Sequence, residues 1–339
     1  MKATITDVAK RAGVSMKTVS RVFNNEPNVA EKTRAHVKAV AQELRYSPNL
    51  AARSLATSKS YLLALIYDNP SPSYISRIQR GAIDACREVG YHLVVEPMYL
   101  TDAGSYAETV RLVRTVLDRL RVDGVILTPP LSDNDAVLEV LEELNIKCVR
   151  VAPSNDSAQP FVSMDDVNAA YQITQYLLEQ GHKDIALIRG HIDHAATHQR
   201  HVGFMRAMAE ADLEVLDDFI VQGDFSFESG AAAARQLLAR SNSQRPTAIF
   251  ASNDDMAAAV ISVAGQMGLD VPGEVSVCGF DDTPLARVVW PALTTVRQPI
   301  YKMGYRAAKE LLRHSDETPA KSQLLDFEIK RRNTVSKIT

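Results

Sequence analysis

Thr6-Asp7-Val8-Ala9-Lys10-Arg11-Ala12-Gly13-Val14-Ser15-Met16-Lys17-Thr18-Val19-Ser20-Arg21-Val22-Phe23 is the stretch from which the rest of the chain is read. Thr6 has the chemistry of a helix N-cap, and Asp7 brings an acid to the first turn, where unpaired N–H groups favour it. Gly13-Val14 ends that helix. Ser15 is placed to cap a second one running from Met16 to Phe23. Val8, Ala12, Val19 and Val22 can then face inward together, so two short helices meet across a glycine-containing turn, the helix-turn-helix pattern. Asn24-Asn25-Glu26-Pro27 reads as a turn. A third helix follows from Glu31 to Leu44, with Val37, Val40, Ala41 and Leu44 as its apolar stripe.

In such a unit the second helix enters the major groove and its first residues reach the base edges. Met16 suits a thymine methyl, Lys17 donates to guanine, and Arg21 can do so with two hydrogen bonds. Ser15, Thr18 and Ser20 suit phosphate oxygens. A solvated helix on an ordinary domain would carry the same residue types. Charge adds to the case: residues 1–60 hold 11 Lys/Arg against four Asp/Glu, whereas the chain as a whole is at −3. A basic head on an acidic body fits one end that meets a polyanion. Pro48 to Ala56 then reads as a helix of about two turns, opened by proline and too short to be stable alone.

The head, Tyr46-Ser47-Pro48-Asn49 and Ala51-Ala52-Arg53-Ser54-Leu55 resemble the lac repressor family's DNA-binding end almost residue for residue. The resemblance implies that Met16 and Lys17 hold the variable base-reading positions and that Arg21 and Asn24 hold the shared DNA-contacting ones. It completes the DNA-contacting set with Thr6, Ser15, Thr18, Ser20, Asn49, Ala52 and Leu55. It further implies that two hinge helices pair across a dimer and drive Leu55 into the minor groove, where an apolar wedge bends the duplex.

Beyond Tyr61 the pattern changes. Strand-like runs recur at Leu62 to Tyr67, His92 to Glu96, Gly124 to Leu127 and Cys148 to Val151. They recur again at Asp184 to Ile188, Phe219 to Gln222, Ala248 to Ala251 and Val275 to Gly279. Helical patterns near 74–89, 104–121, 133–144, 167–180, 196–211, 227–240 and 254–267 alternate with them. Strict alternation means βαβ units and parallel sheets. Eight or more units exceed one comfortable open sheet, so two lobes are expected. Here too the chain resembles the family, whose body has a type I periplasmic-binding-protein-like fold. The expected architecture is therefore a small all-α helix-turn-helix head at residues 1–46, a hinge at 47–60, and an α/β body at 61–339. Carried over from the resemblance, the body has two Rossmann-like parallel-sheet lobes, 61–162 with 293–323 and 163–292 with 324–339.

In such sheets ligands sit outside the carboxyl ends of strands. Asp68-Asn69, Tyr74, Asp165-Asp166, His194, Arg200, Phe225, Asn253-Asp254 and Asp281-Asp282 follow strand patterns. Each Asp or Asn could equally be a helix cap. Amides, carboxylates, a guanidinium and aromatic faces suit a polyhydroxyl ligand. The resemblance places Arg200, Asn253 and Asp281 at effector-binding positions and Phe225 at a stacking position, with Asp68, Tyr74 and His194 lining the same cleft. A sugar or sugar derivative is the expected effector; a nucleoside or another small metabolite remains open.

Other readings have less support. The longest apolar runs fall far short of the roughly 18 residues of a membrane span. Met1-Lys2-Ala3-Thr4 leads into polar sequence without a signal-peptide core, so a cytoplasmic, nucleoid-associated protein is expected. Cys86, Cys148 and Cys278 are spaced as reduced core residues. His191, His194, His198 and His201 lack the carboxylate or thiolate that would complete a metal site. Neither a G-x-G-x-x-G nor a G-x-S-x-G stretch follows a strand, and no cofactor is implied. An exported sugar-binding protein would not need residues 1–56, and a sugar-converting enzyme would need a catalytic pair that is not found. The expectation is thus a regulator, not an enzyme, whose partners are near-palindromic operator DNA, a carbohydrate effector and a second copy of itself. Glu328 to Thr334 resembles the last strand of the family's body, and the family's tetramer-forming heptad tail is not expected in this chain.

Overall fold

The structure is a computed structural model describing residues 3–23, 28–46, 59–99, 105–155, 159–241, 243–313 and 322–338. The chain separates into two compact units, Met1–Tyr61 and Leu62–Thr339.

The first unit contains α1 (Ile5–Ala12), α2 (Met16–Phe23) and α3 (Glu31–Glu43). The cap of α1 is Thr4, not Thr6 as its sequence suggested: Thr4 Oγ1 accepts from Asp7 N, and the Asp7 carboxylate accepts from Thr4 N at 2.8 Å. Only this spacing closes both bonds of a capping box. Gly13 ends α1 with φ +64°, a left-handed turn that glycine adopts without steric cost. Val8, Ala9, Ala12, Val19, Val22, Val37, Val40 and Ala41 form a single apolar cluster, with Phe23 and Tyr46 in edge-to-face contact at 5.6 Å beside it.

In the second unit the chain runs β1 (Leu62–Tyr67), α4 (Pro72–Glu88), β2 (His92–Pro97), α5 (Tyr106–Leu120), β3 (Gly124–Leu127), α6 (Asp135–Glu143), β4 (Cys148–Val151) and β5 (Phe161–Ser163). It continues through α7 (Asp166–Glu179), β6 (Ile185–Arg189), α8 (Ala195–Glu210), β7 (Ile220–Gln222), α9 (Phe227–Leu238), β8 (Ala248–Ala251), α10 (Asp254–Gln266) and β9 (Ser276–Phe280). The last elements are α11 (Leu285–Val288), β10 (Thr294–Arg297), α12 (Ile300–Leu311), β11 (Gln323–Leu324) and β12 (Glu328–Lys330). Two six-stranded sheets result, ordered β11-β5-β4-β3-β1-β2 and β12-β10-β9-β8-β6-β7. All pairings are parallel except β10 with β12, an antiparallel edge. The central strands are buried on both faces, which is why they read as continuous apolar runs.

The lobe boundaries differ from the expected 292 and 324. Residues 293–297 belong to the second lobe, because Thr294–Arg297 pairs with β9, and Thr294 N donates to Thr334 Oγ1 at 2.8 Å. The chain therefore recrosses between Arg297 and Ile300. Leu324 still pairs with Ser163 in the first sheet, so the last crossing lies between Leu324 and Glu328. Cys86, Cys148 and Cys278 are buried and unpaired. No helix among the described residues is long and apolar enough to cross a membrane.

One close approach sets up the cleft. α8 lies against the start of α7 at Gly203, where a Cβ would stand 2.1 Å from the Val167 carbonyl oxygen. Three residues earlier on the same face, Arg200 is thereby brought to Asp166. Overpacking of this kind typically costs about 1–3 kcal/mol. Gly203→Val should therefore lower the thermal unfolding midpoint of the body by several degrees, and an unchanged midpoint would contradict the packing described.

Candidate functional site

The head presents its expected residues unevenly. Thr6, Ser15, Met16 and Lys17 are exposed, and Thr18, Ser20 and Arg21 are half-buried. Ser15 caps α2: its hydroxyl accepts from Thr18 N at 3.1 Å and lies 3.0 Å from the Thr18 hydroxyl. The side chains of Ser15 and Thr18 thus fix the start of the helix. Met16 and Lys17 follow at its exposed first turn, with Thr6 Oγ1 3.4 Å from the Met16 sulfur. Asn24, Asn49, Ala52 and Leu55 lie outside the described residues.

In the body a cavity opens where the carboxyl ends of the two sheets face each other. Tyr74, His194, Arg200, Phe225, Asn253 and Asp281 all line it. Asp68, the seventh expected residue, does not. It borders a neighbouring, wider space together with Asn69, which reaches both.

Arg200 organises the floor. Its Nε donates to Asp166 at 2.8 Å, its Nη1 to the Ser252 carbonyl, and its guanidinium lies 3.7 Å from the Phe280 ring centroid. Both members of the ion pair are almost wholly buried. Burial outweighs the attraction of Arg200 and raises the Asp166 pKa. Asp166 was noted in the sequence only as one of two acids at a helix start. The readable signal was the doublet: Asp165 Oδ1 caps α7 through Asn168 N at 2.8 Å, so the second acid must find another partner.

The same logic applies to the other polar doublets. Asn253 caps α10, its Oδ1 accepting from Met256 N at 2.9 Å, while its Nδ2 donates to the Phe225 carbonyl at 2.8 Å. The adjacent Asp254 turns beneath the site to accept from Thr283 N and from the Thr283 and Thr295 hydroxyls. Asp281 accepts from the Gln298 amide, a lining residue that the sequence reading missed. Burial pushes the Asp281 pKa well up, the nearby Asp254 adds to this, and Arg200 and Gln298 pull the other way. Asp282 points elsewhere. Against the upward push of burial, Arg332 and Arg297 hold its pKa low.

The aromatic wall is built from Phe225 and His194, with ring centroids 5.3 Å apart. Phe225 sits over Gly190, where a Cβ would stand 2.0 Å from the ring, so no larger residue leaves it this seat. Burial, with His191 and Arg200 nearby, lowers the His194 pKa to about 3, which leaves a neutral imidazole at any physiological pH. Burial likewise raises the Tyr74 pKa and keeps its phenol protonated. Among the described residues, no hydrogen bond within the chain uses Arg200 Nη2, the Tyr74 hydroxyl, the His194 ring nitrogens, the second amide hydrogen of Asn253 or the second carboxyl oxygen of Asp281. These donors and acceptors ring an aromatic face. No group of three or more His, Cys, Asp or Glu among the described residues is arranged to hold a metal ion.

The two lobes also touch directly. Ser71 Oγ donates to Asp255 at 2.8 Å, and Arg77 Nη1 donates to the carbonyls of Asp281 and Asp282 at 3.2 and 3.0 Å.

Comparison with known proteins agrees with this division. Residues 4–49 match the profile of bacterial regulatory proteins of the lacI family, and residues 174–335 match a periplasmic binding protein-like domain. Catabolite control protein A of Priestia megaterium is 35% identical, the match covering 96% of this chain and 97% of that protein. The transcriptional repressor PurR of Erwinia tasmaniensis is 37% identical, covering 96% and 94%. Among solved structures, the lac repressor dimer bound to operator and the anti-inducer ONPF superposes with a TM-score of 0.76 at 27% identity, covering 99% of this chain and 100% of that one. The transcriptional regulator CelR–cellobiose complex gives 0.73 at 31% identity, covering 98% and 99%. The chain belongs to the lacI family of bacterial regulatory proteins, and it is a DNA-binding transcriptional regulator, not an enzyme.

Proposed function

We propose that this regulator is a cytoplasmic homodimeric repressor whose grip on a near-palindromic operator is set by a sugar or sugar derivative in the cleft. The observation that carries the effector assignment is the ring of unengaged donors and acceptors around Phe225, with Arg200 held rigid by Asp166. A polyhydroxyl ring offers one apolar face and paired hydroxyls at its edge, the complement of that wall. The likeness to a regulator solved with cellobiose supports the same reading.

Residues 1–46 form the reading head, 47–60 the hinge and 61–339 the sensor. Two heads related by a two-fold axis meet two inverted half-sites, and the likeness to a repressor dimer on operator supports this arrangement. Met16 and Lys17 on the exposed first turn of α2, followed by Arg21, read bases; Ser15, Thr18 and Ser20 hold phosphates, and Thr6 and Asn24 add further DNA contacts. Asn49, Ala52 and Leu55 act at the hinge. A ligand that binds one lobe arrangement better than the other shifts the balance between them, and the hinge segments transmit the shift to the heads.

Two outcomes follow. Lys17→Ala should relax base preference at one position of each half-site by about 1–3 kcal/mol. An unaltered selected site in a binding-site enrichment would exclude Lys17 as a base reader. Asp281→Ala should abolish the effector response and leave operator affinity in place, measured by fluorescence anisotropy on labelled operator. A variant still responding at the original effector concentration would exclude the cleft as the switch site.

A further inference from the structure

The start of α4 reaches across the lobe boundary with side chains that a helix start ordinarily keeps for itself. Ser71 stands at the N-cap of α4, where a serine hydroxyl usually accepts from a backbone N–H of the first turn. Here it makes no such bond. It is buried and donates instead to Asp255, on the first turn of α10 in the other lobe, at 2.8 Å. Farther along α4, Arg77 Nη1 donates to two consecutive carbonyls of that lobe, Asp281 O at 3.2 Å and Asp282 O at 3.0 Å.

The receiving turn is built for this contact. Asp281 has φ +122° and Asp282 φ +51°, so two adjacent non-glycine residues are held on the left-handed side. Such conformations persist only where the surroundings enforce them. This one brings both carbonyls to a single nitrogen, and the two hydrogens of Arg77 Nη1 serve one carbonyl each. Arg77 is not there to neutralise a carboxylate. The Asp282 side chain already holds Arg297 and Arg332, with Arg287 at 3.5 Å. The second lobe fastens the turn from within: Asp281 N donates to Val296 O at 2.7 Å, and Thr283 N to the Asp254 carboxylate at 2.7 Å. Arg77 adds the anchor from the first lobe. It is not among the residues lining the cavity around Arg200, whereas Asp281, whose carbonyl it holds, is.

We propose that Arg77 is a positioning residue: it clamps the Asp281–Asp282 turn to α4 and, without touching the ligand, sets the lobe arrangement to which the DNA-binding head responds. This rests on the reading above in which the lobes govern the head, and it names the contact that fixes their resting arrangement. Parting the lobes withdraws a cation from two carbonyls aimed at it, and hydrogen bonds from a charged donor are the stronger kind. The Ser71–Asp255 bond acts in the same sense from the other end of the tie.

Hydrogen exchange on the free full-length protein tests the clamp with no ligand present. In Arg77→Ala the amides of Asp281 and Thr283 should exchange about tenfold faster than in the parent protein, while those of β6 and β8 in the centre of the same sheet stay unchanged. Unchanged exchange at Asp281 and Thr283 would overturn the clamp. The second measurement is operator affinity, by fluorescence anisotropy on a site that the parent protein selects from random DNA, with no small molecule added. Arg77→Ala should shift it about fivefold or more, and Ser71→Ala should shift it less, in the same direction. Arg77→Lys, which keeps a cation able to donate to both carbonyls, should restore most of the parent affinity. Operator affinity unmoved by Arg77→Ala, or moved the opposite way by Ser71→Ala, would overturn the part of the tie in the switch. Should the parent protein select no site, the repressor reading falls and the link to the head with it, while exchange at the turn still decides the clamp.

Discussion

The buried ion pair between Arg200 and Asp166 is the contact on which the body's arrangement turns. It joins the middle of α8 to the first residue of α7, and through the Ser252 carbonyl and the Phe280 ring it reaches the ends of β8 and β9. A buried charge left alone is costly, so each partner must be supplied where the other stands; breaking such a pair costs about 3–5 kcal/mol. Gly203 makes the approach possible. Once Arg200 is held, its remaining nitrogen, the neutral His194 and the raised carboxyl of Asp281 keep fixed positions around an aromatic face. The ligand then meets a preformed surface, which lowers the ordering cost of binding.

Among the non-glycine residues with positive φ, Ala152, Phe225 and Asp281 line the cavity. Phe225 has φ +74° and Asp281 φ +122°, and both directly line the cavity. Non-glycine residues in such conformations cost about 1–3 kcal/mol and persist only where their surroundings enforce them. Here Asn253 holds the Phe225 carbonyl, and Val296 O accepts from Asp281 N at 2.7 Å. Phe225 and Asp281 belong to different strand ends, and both line one space. The Ser71–Asp255 and Arg77–Asp281 contacts add a direct tie between lobes, so the lobe arrangement and the geometry of the ligand wall cannot change independently.

Much of this architecture was legible in the chain itself, for physical reasons. Strands buried on both faces appear as apolar runs such as Leu62–Tyr67, and helices between them show a 3.6-residue stripe. Boundaries were less legible where two residues could serve. Thr4 and Thr6 are both capable caps, and the reciprocal bond from Asp7 decides for Thr4. The lobe boundary at 292, carried over from the resemblance, falls short, because Thr294–Arg297 continues the second sheet. Six of the seven cleft residues named from the sequence line one cavity; Asp68 falls in the space beside it. Gln298 escaped, and Asp166 was noted without its partner, because their roles are set by residues distant in sequence, Asp281 and Arg200, and pairing at that range is a property of packing alone.

The central claim is that ligand in the cleft and operator at the head act on one shared equilibrium. Coupling of this kind is reciprocal and typically amounts to a 5–150-fold change in affinity. The direct test is the effector dissociation constant measured on the free protein and again on protein saturated with operator. The account predicts that operator shifts this constant by the same factor by which saturating effector shifts operator affinity. An effector constant that is identical with and without operator would contradict it.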